Sequence, residues 1–189
     1  FEHFLEAVRT NVCNRAEGVG DLVEFARQRE SLADAIRVED FPTRVVHNDT
    51  KLNNVLLDKK SGKGLCVVDL DTVMPGCVLH DFGDLVRTAA CSSAEDEKNL
   101  ALVRFLPDIF EAIAEGYLNA AREFLEPSEI AGLPLAPKVI TFELGIRFLT
   151  DYLEGDAYFK VKRKGHNLDR TRAQFQLLAS MEEHEEDIR

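Results

Sequence analysis

A chain of 189 residues, 45% of them hydrophobic, is long enough to bury one sizeable core, and a single domain is the expectation. A formal charge of −11 argues against nucleic acid or an anionic membrane as the main partner, and no apolar run approaches the ~18 residues of a membrane span. The four cysteines, Cys13, Cys66, Cys77 and Cys91, form no CxxC pair, so reduced thiols in a cytosolic protein are expected rather than zinc or a disulfide framework.

The sequence opens at Phe1, and charges at Glu2, Glu6, Arg9, Arg15 and Glu17 speak against a secretory leader. A start at Phe rather than Met leads to the expectation of an excised fragment or a processed product. Helical periodicity follows, with Phe1, Phe4, Leu5 and Val8 on one face and Leu22, Val23, Phe25, Ala26, Leu32 and Ile36 repeating the pattern. Asp40-Phe41-Pro42 breaks it. A short strand at Val45-Val46 leads into His47-Asn48-Asp49. Two β-like runs, Val55–Leu57 and Leu65–Val68, flank turn residues and predict a hairpin. Met74-Pro75-Gly76 is expected to end the β section, and helices are predicted over Phe105–Leu125, Val139–Leu153 and Leu168–Met181. No repeat or low-complexity linker divides the chain.

The chemistry gathers around the hairpin. Asp49 and Asn54 precede its first strand and Asp69 closes its second. A turn centred on Ser61-Gly62 without a bulge would set Asn54 opposite Asp69. A carboxylate and an amide oxygen then meet at one end, a donor pair suited to a hard cation such as Mg²⁺. Asp49, one loop away, is placed to take a proton from a substrate hydroxyl. Phosphoryl transfer asks a protein mainly for positioning and charge neutralisation, and these residue types supply both. For any one of them alone, the capping of a turn is the plainer account.

The segments HNDTKLNNVLLD and VVDLDTVMPG resemble the catalytic loop and metal-binding segment of aminoglycoside phosphotransferases and choline kinases. With HDFGDLVR and FLTDYLEGDAYFK they are similar, more closely, to the N-acetylhexosamine 1-kinases, from about Pro42 to the last helix. The resemblance implies an α+β, mostly α fold: the C-terminal lobe of a protein-kinase-like (aminoglycoside phosphotransferase) fold with a small β-hairpin at the active site. It implies Asp49 as catalytic base, Asn54 and Asp69 as Mg²⁺ ligands, and sugar contacts at Thr72, Arg147 and Tyr158. Lys51 and Asp71, in the same segments, and Asp151 complete the candidate set. ATP and a sugar acceptor are the implied partners. Asn48 stands where many relatives carry glycine, a feature that the hexosamine kinases share.

Glu143, Arg147 and Asp151 recur at i, i+4 and i+8 on an otherwise apolar helix that should be buried. An internal salt-bridge ladder is one reading of this stripe. The other is the floor of a polar cleft in which Arg147 donates to sugar oxygens. Tyr158 is expected in a loop at the end of this helix. The basic run at Lys160, Lys162, Arg163 and Lys164 reads as solvated surface.

Two motifs point elsewhere. Asp81-Phe82-Gly83 spells the metal motif of protein kinases, but it precedes a helical stretch at Asp84–Ala90, and capping is the expected role. Val67 to Val73 fits the DxDxT/V signature of haloacid-dehalogenase phosphatases, with Asp69 as nucleophile and Asp71 as acid/base. That fold needs an alternating βαβ sheet, whereas helices follow here. A third reading is a non-catalytic, pseudokinase-like lobe. Gly18-Val19-Gly20 is no phosphate loop, and no strand lysine is visible. In the resembling families those parts belong to an N-terminal lobe, so this chain alone is expected to bind ATP poorly and to be inactive.

Overall fold

The computed structural model of the chain describes residues 1–188. Two short N-terminal helices, α1 (Glu2–Thr10) and α2 (Gly20–Gln28), precede four brief strands: β1 (Arg44–Val46), β2 (Val55–Leu57), β3 (Gly64–Val67) and β4 (Met74–Gly76). Helices α3 (Val78–Ala89), α4 (Pro107–Ala121), α5 (Pro127–Gly132), α6 (Ala136–Glu154), α7 (His166–Glu183) and α8 (Glu185–Ile188) follow. This is the mostly helical α+β lobe expected, with its β structure confined to the middle of the chain.

The helix ends follow local chemistry. α4 and α5 start with proline in the first turn, where the missing N–H costs nothing. α5 adds a reciprocal capping box between Glu126 and Glu129. α6 stops at Gly155, whose φ of 107° suits glycine.

Helix α6 runs through the middle because it is apolar on most sides. Val139, Phe142, Ile146, Phe148, Leu149 and Leu153 are all buried. One flank packs with α1, α2 and α7 through Phe4, Val23, Phe175 and Leu178. The other packs with α3, α4 and α7 through Phe82, Phe110, Val86 and Leu177. Where α3 crosses α6 the backbones come so close that a Cβ on Gly83 would lie 2.6 Å from Ile140 Cγ1 and 2.7 Å from the Ala136 carbonyl oxygen. No helix among the described residues is long and apolar enough to cross a membrane.

One expectation about the strands needs correction. Met74–Gly76 ends the β section as expected, and it does so as a strand, pairing antiparallel with β1, Arg44 opposite Gly76 and Val46 opposite Met74. The β2–β3 hairpin forms as predicted but carries a bulge. Val55 pairs with Val67 and Leu56 with Cys66, then Leu57 pairs with Gly64, leaving Leu65 as the extra residue. The cause lies in the turn, where the Asp58 carboxylate accepts from the Lys60 and Ser61 amides and from Ser61 Oγ, and Gly62 takes a φ of 70°. The turn thus centres on Lys60-Ser61 rather than Ser61-Gly62, which alone would set Asn54 opposite Val67; the bulge restores one residue, so Asn54 faces Val68, whose amide donates to the Asn54 carbonyl at 2.9 Å.

Candidate active site

Strand β1 ends at the buried Val46 and delivers the chain into the loop His47–Lys51, which is fastened at nearly every residue. Asp81, in the first turn of α3, accepts the His47 amide on Oδ2 and the Asn48 amide on Oδ1, both at 2.7 Å. Its carbonyl accepts the Thr50 hydroxyl at 2.6 Å. His47 Nδ1 accepts the Asp49 amide at 3.3 Å, so Nε2 carries the proton and donates to the Val68 carbonyl at 3.0 Å. Asn48 turns through the left-handed region at φ 63°, a conformation that asparagine tolerates better than most residues.

This scaffold presents Asp49. Its carboxylate Oδ2 accepts from the Asn54 side-chain amide at 2.9 Å and lies 2.5 Å from Lys51 Nζ. Asn54, itself buried, also donates to the Asp49 carbonyl at 2.8 Å. The bond to Asp49, set against burial, raises the Lys51 pKa, and the charges of Asp49, Asp69 and Asp84 add to it. The same ammonium thus feels three carboxylates. Asp69 follows β3 in an αL conformation, φ 66°, and its side chain is exposed.

Asn54 and Asp69, the oxygen donors expected for a cation, both bear on the Asp49–Lys51 pair, Asn54 through its hydrogen bond to Asp49 and Asp69 through its charge on Lys51, though not in the predicted register. The Asn54 amide nitrogen is committed to Asp49, which leaves its oxygen for a further partner, and Asp69 adds a carboxylate. Among the described residues no cluster of three or more His, Cys, Asp or Glu forms a metal cage. Two protein oxygens fit a Mg²⁺ ion that completes its octahedron with water and phosphate oxygens.

A cleft of about 340 Å³ opens beside Asp49, bounded by Asn48, His80, Asp84 and Arg87 on one side and by Ile140, Glu143, Leu144 and Arg147 of α6 on the other. Arg147 thus lines the same cleft as Asp49. Its nearest carboxylate, Glu143, is 3.7 Å away and both side chains are half exposed. The charged stripe of α6 is accordingly not a buried ladder. Asp151 is buried and turned to its own loop, accepting the Tyr158 and Phe159 amides at 2.7 and 2.9 Å and the Asn167 side-chain amide at 2.7 Å. It shapes the loop that carries Tyr158. Tyr158, 75% exposed, lies outside the Asp49 cleft but lines a neighbouring hollow that Arg147 also borders.

Thr72 is not among the residues that line the cleft, and its bonds go to the loop beside it. Its hydroxyl donates to the His47 carbonyl at 2.6 Å, and its own carbonyl accepts the Asn48 side-chain amide at 3.2 Å. Asp71 is exposed in the short 3₁₀ turn Leu70–Thr72. Sequence reasoning missed Asp81, assigned to helix capping. α3 in fact begins at Val78, ahead of the DFG spelling, and the Asp81 carboxylate reaches out of the helix to the loop His47–Lys51. Phe82 is fully buried and Gly83 makes the close crossing with α6, so the other two letters serve packing.

Residues 2–127 match the family described as APH, the phosphotransferase enzyme family. The chain belongs to that family. The match covers the β section, the Asp49 loop, the hairpin and α3, so the elements that build the Asp49 side of the cleft lie within the phosphotransferase family match. The β strands form two antiparallel pairs rather than the parallel sheet a dehalogenase-type phosphatase would require.

Proposed function

We propose that this phosphotransferase carries the catalytic and acceptor-binding part of an ATP-dependent sugar kinase. The observation that supports it most is the fixed Asp49 carboxylate, pinned on Oδ2 by Asn54 and Lys51, at the wall of a polar cleft shared with Arg147. Asp49 orients an acceptor hydroxyl and takes its proton as the oxygen bonds to the γ-phosphorus. The bond from that phosphorus to the β–γ bridging oxygen breaks, and ADP departs. Asn54 and Asp69 are the residues that would hold Mg²⁺, which when bound neutralises charge on the phosphates. Arg147 offers several fixed donors to ring oxygens. The resemblance around Asp49 and Arg147 favours the anomeric hydroxyl of an N-acetylhexosamine as the acceptor.

The nucleotide belongs on the hairpin side. Leu56, Leu57, Leu65, Val67 and Met74 are all about half exposed there, an apolar surface that a base and a covering N-terminal lobe would bury. Four unpaired cysteines, two of them exposed, suit a reducing, cytosolic setting.

The deciding experiment is a panel of sugars offered with ATP and Mg²⁺ to the intact protein, read as ADP release and as the position of the new phosphate. Transfer to C1 of an N-acetylhexosamine is the expected result. Turnover with none of the sugars would end the proposal. Arg147→Ala should raise KM for the sugar with a smaller effect on kcat, and an unchanged KM would return Arg147 to a structural role.

A further inference from the structure

The cleft contains a second carboxylate that the phosphoryl transfer leaves unused. Asp84 sits on α3 one turn beyond Asp81 and lines the same hollow as Asp49 and Arg147. Its Oδ1 accepts from Arg87 Nε at 2.9 Å and lies 2.8 Å from Arg87 Nη2. Arg87 is buried and is gripped from its far end, Nη1 donating to Glu95 Oε1 at 3.0 Å and to Gln174 Oε1 at 3.1 Å. A planar guanidinium clamped on both edges has no freedom to swing, so the carboxylate it holds is fixed as well.

Of the three carboxylates that line the cleft, Asp49 and Asp84 are constrained alike. Asp49 has its contacts to Lys51 and Asn54 on Oδ2, and Asp84 has both contacts to Arg87 on Oδ1. Each oxygen left over, Oδ1 of Asp49 and Oδ2 of Asp84, keeps its acceptor capacity. The wall opposite is α6, held at short distance by the Gly83 crossing, and it presents Glu143 and Arg147. A ligand between these walls meets carboxylate acceptors on one side and a carboxylate with a guanidinium on the other. A polyhydroxylated ring, which offers several O–H donors and O acceptors around its edge, matches that arrangement.

Resting on the reading of this cleft as a sugar site, we propose that Asp84 is a specificity-determining residue: it accepts a hydrogen bond from a ring substituent of the acceptor other than the hydroxyl that is phosphorylated, and so sets which way round the ring lies against Asp49. The Arg87–Glu95–Gln174 clamp serves to keep that carboxylate aimed. A site built to pair with a particular hydroxyl rejects the analogue that lacks it, because the protein group is then left buried and unpaired.

The test uses the intact protein, its preferred sugar and the monodeoxy analogues of that sugar that retain the phosphorylated hydroxyl. With wild-type protein, one analogue should lose roughly 10- to 100-fold in kcat/KM, the size expected of a hydrogen bond to a charged group. Asp84→Asn preserves shape and an oxygen for Arg87. It should lower kcat/KM for the parent sugar by a similar factor, mostly through KM, and should no longer distinguish that analogue from the parent. Asp84→Glu keeps the charge for Arg87 while shifting the oxygens by one methylene, and the same loss of discrimination is expected if the asparagine variant folds poorly. A parallel fall for parent and analogues alike, or unchanged kinetics, would overturn the assignment and leave Asp84 a partner of Arg87 only. Wild-type protein that phosphorylates no sugar would end the sugar-kinase reading and this inference with it, before any variant is made.

Discussion

The side-chain amide of Asn54 donates to both the carbonyl and the carboxylate of Asp49, at 2.8 and 2.9 Å. One buried residue thereby fixes both the backbone and the charge of the proposed base. Asp49→Asn preserves the size of the side chain and removes its ability to take a proton. In the intact protein kcat should fall by at least ~100-fold, the low end for general-base catalysis, with little change in the KM for sugar. Turnover close to wild type would take Asp49 out of the mechanism.

Asp81 is the second prediction. Its two carboxylate oxygens satisfy the amides of His47 and Asn48, which have no alternative acceptor within the loop's own turn. Asp81→Ala leaves both amides unpaired and should cost about 2–3 kcal/mol in a denaturant titration, with a fall in kcat. Asp81→Asn retains one acceptor oxygen and should lie between wild type and alanine. Equal stability for all three proteins would show that the loop does not depend on this anchor.

Gly83 is the third. Alanine is the better helix former by about 1 kcal/mol, but here its methyl would meet the Ala136 carbonyl oxygen at 2.7 Å and Ile140 Cγ1 at 2.6 Å. The carbonyl belongs to the backbone of α6 and cannot step aside without moving that helix. Gly83→Ala should therefore destabilise by about 1–3 kcal/mol, as overpacked sites do. Because α3 and α6 are the two walls of the cleft, KM for sugar should rise as well. A stabilised variant would mean that the helices separate freely.

Tyr117 provides a pH signature. Burial, reinforced by the charges of Asp81 and Glu129, pushes its hydroxyl up to about 12, from an ordinary value of 10. The folded protein thus keeps this proton where the unfolded chain has lost it. The stabilisation is fully present below pH 10 and disappears as pH rises from 10 towards 12, an effect of about 2–3 kcal/mol at most. Tyr117→Phe should flatten the alkaline limb of the stability curve between those values. An alkaline limb as steep as that of wild type would exclude Tyr117 as its source.

The parts of the site that were legible in the sequence are those set by short spacing. Asp49 and Asn54 lie five residues apart, and one turn of chain is enough to bring them together. The helices were legible because apolar residues recur at helical spacing, and α6 was placed within three residues at either end. Asp69 was harder: its register depends on where the turn centres and on the Leu65 bulge, and both follow from how Asp58 grips the turn. Asp81 was missed for a different reason. Its partners stand 33 and 34 residues earlier, and a carboxylate near a helix start is usually satisfied locally. Asp151 shows the converse error, since its spacing matched Arg147 while its bonds go to amides of the following loop. The trio Asp81, Asp84 and Arg87, at i, i+3 and i+6 on one helix face, was a visible signal of a charged wall.

Asn48 and Asp69, with φ of 63° and 66°, flank the reacting region in a conformation that side-chain-bearing residues avoid, at a cost on the order of 1 kcal/mol each. Glycine at either position would let the chain rest more easily and should raise the melting temperature. It would also free the two segments whose aim the proposed phosphoryl transfer needs. Ruggedness and precision are thus opposed at these two positions, and the natural residues favour precision.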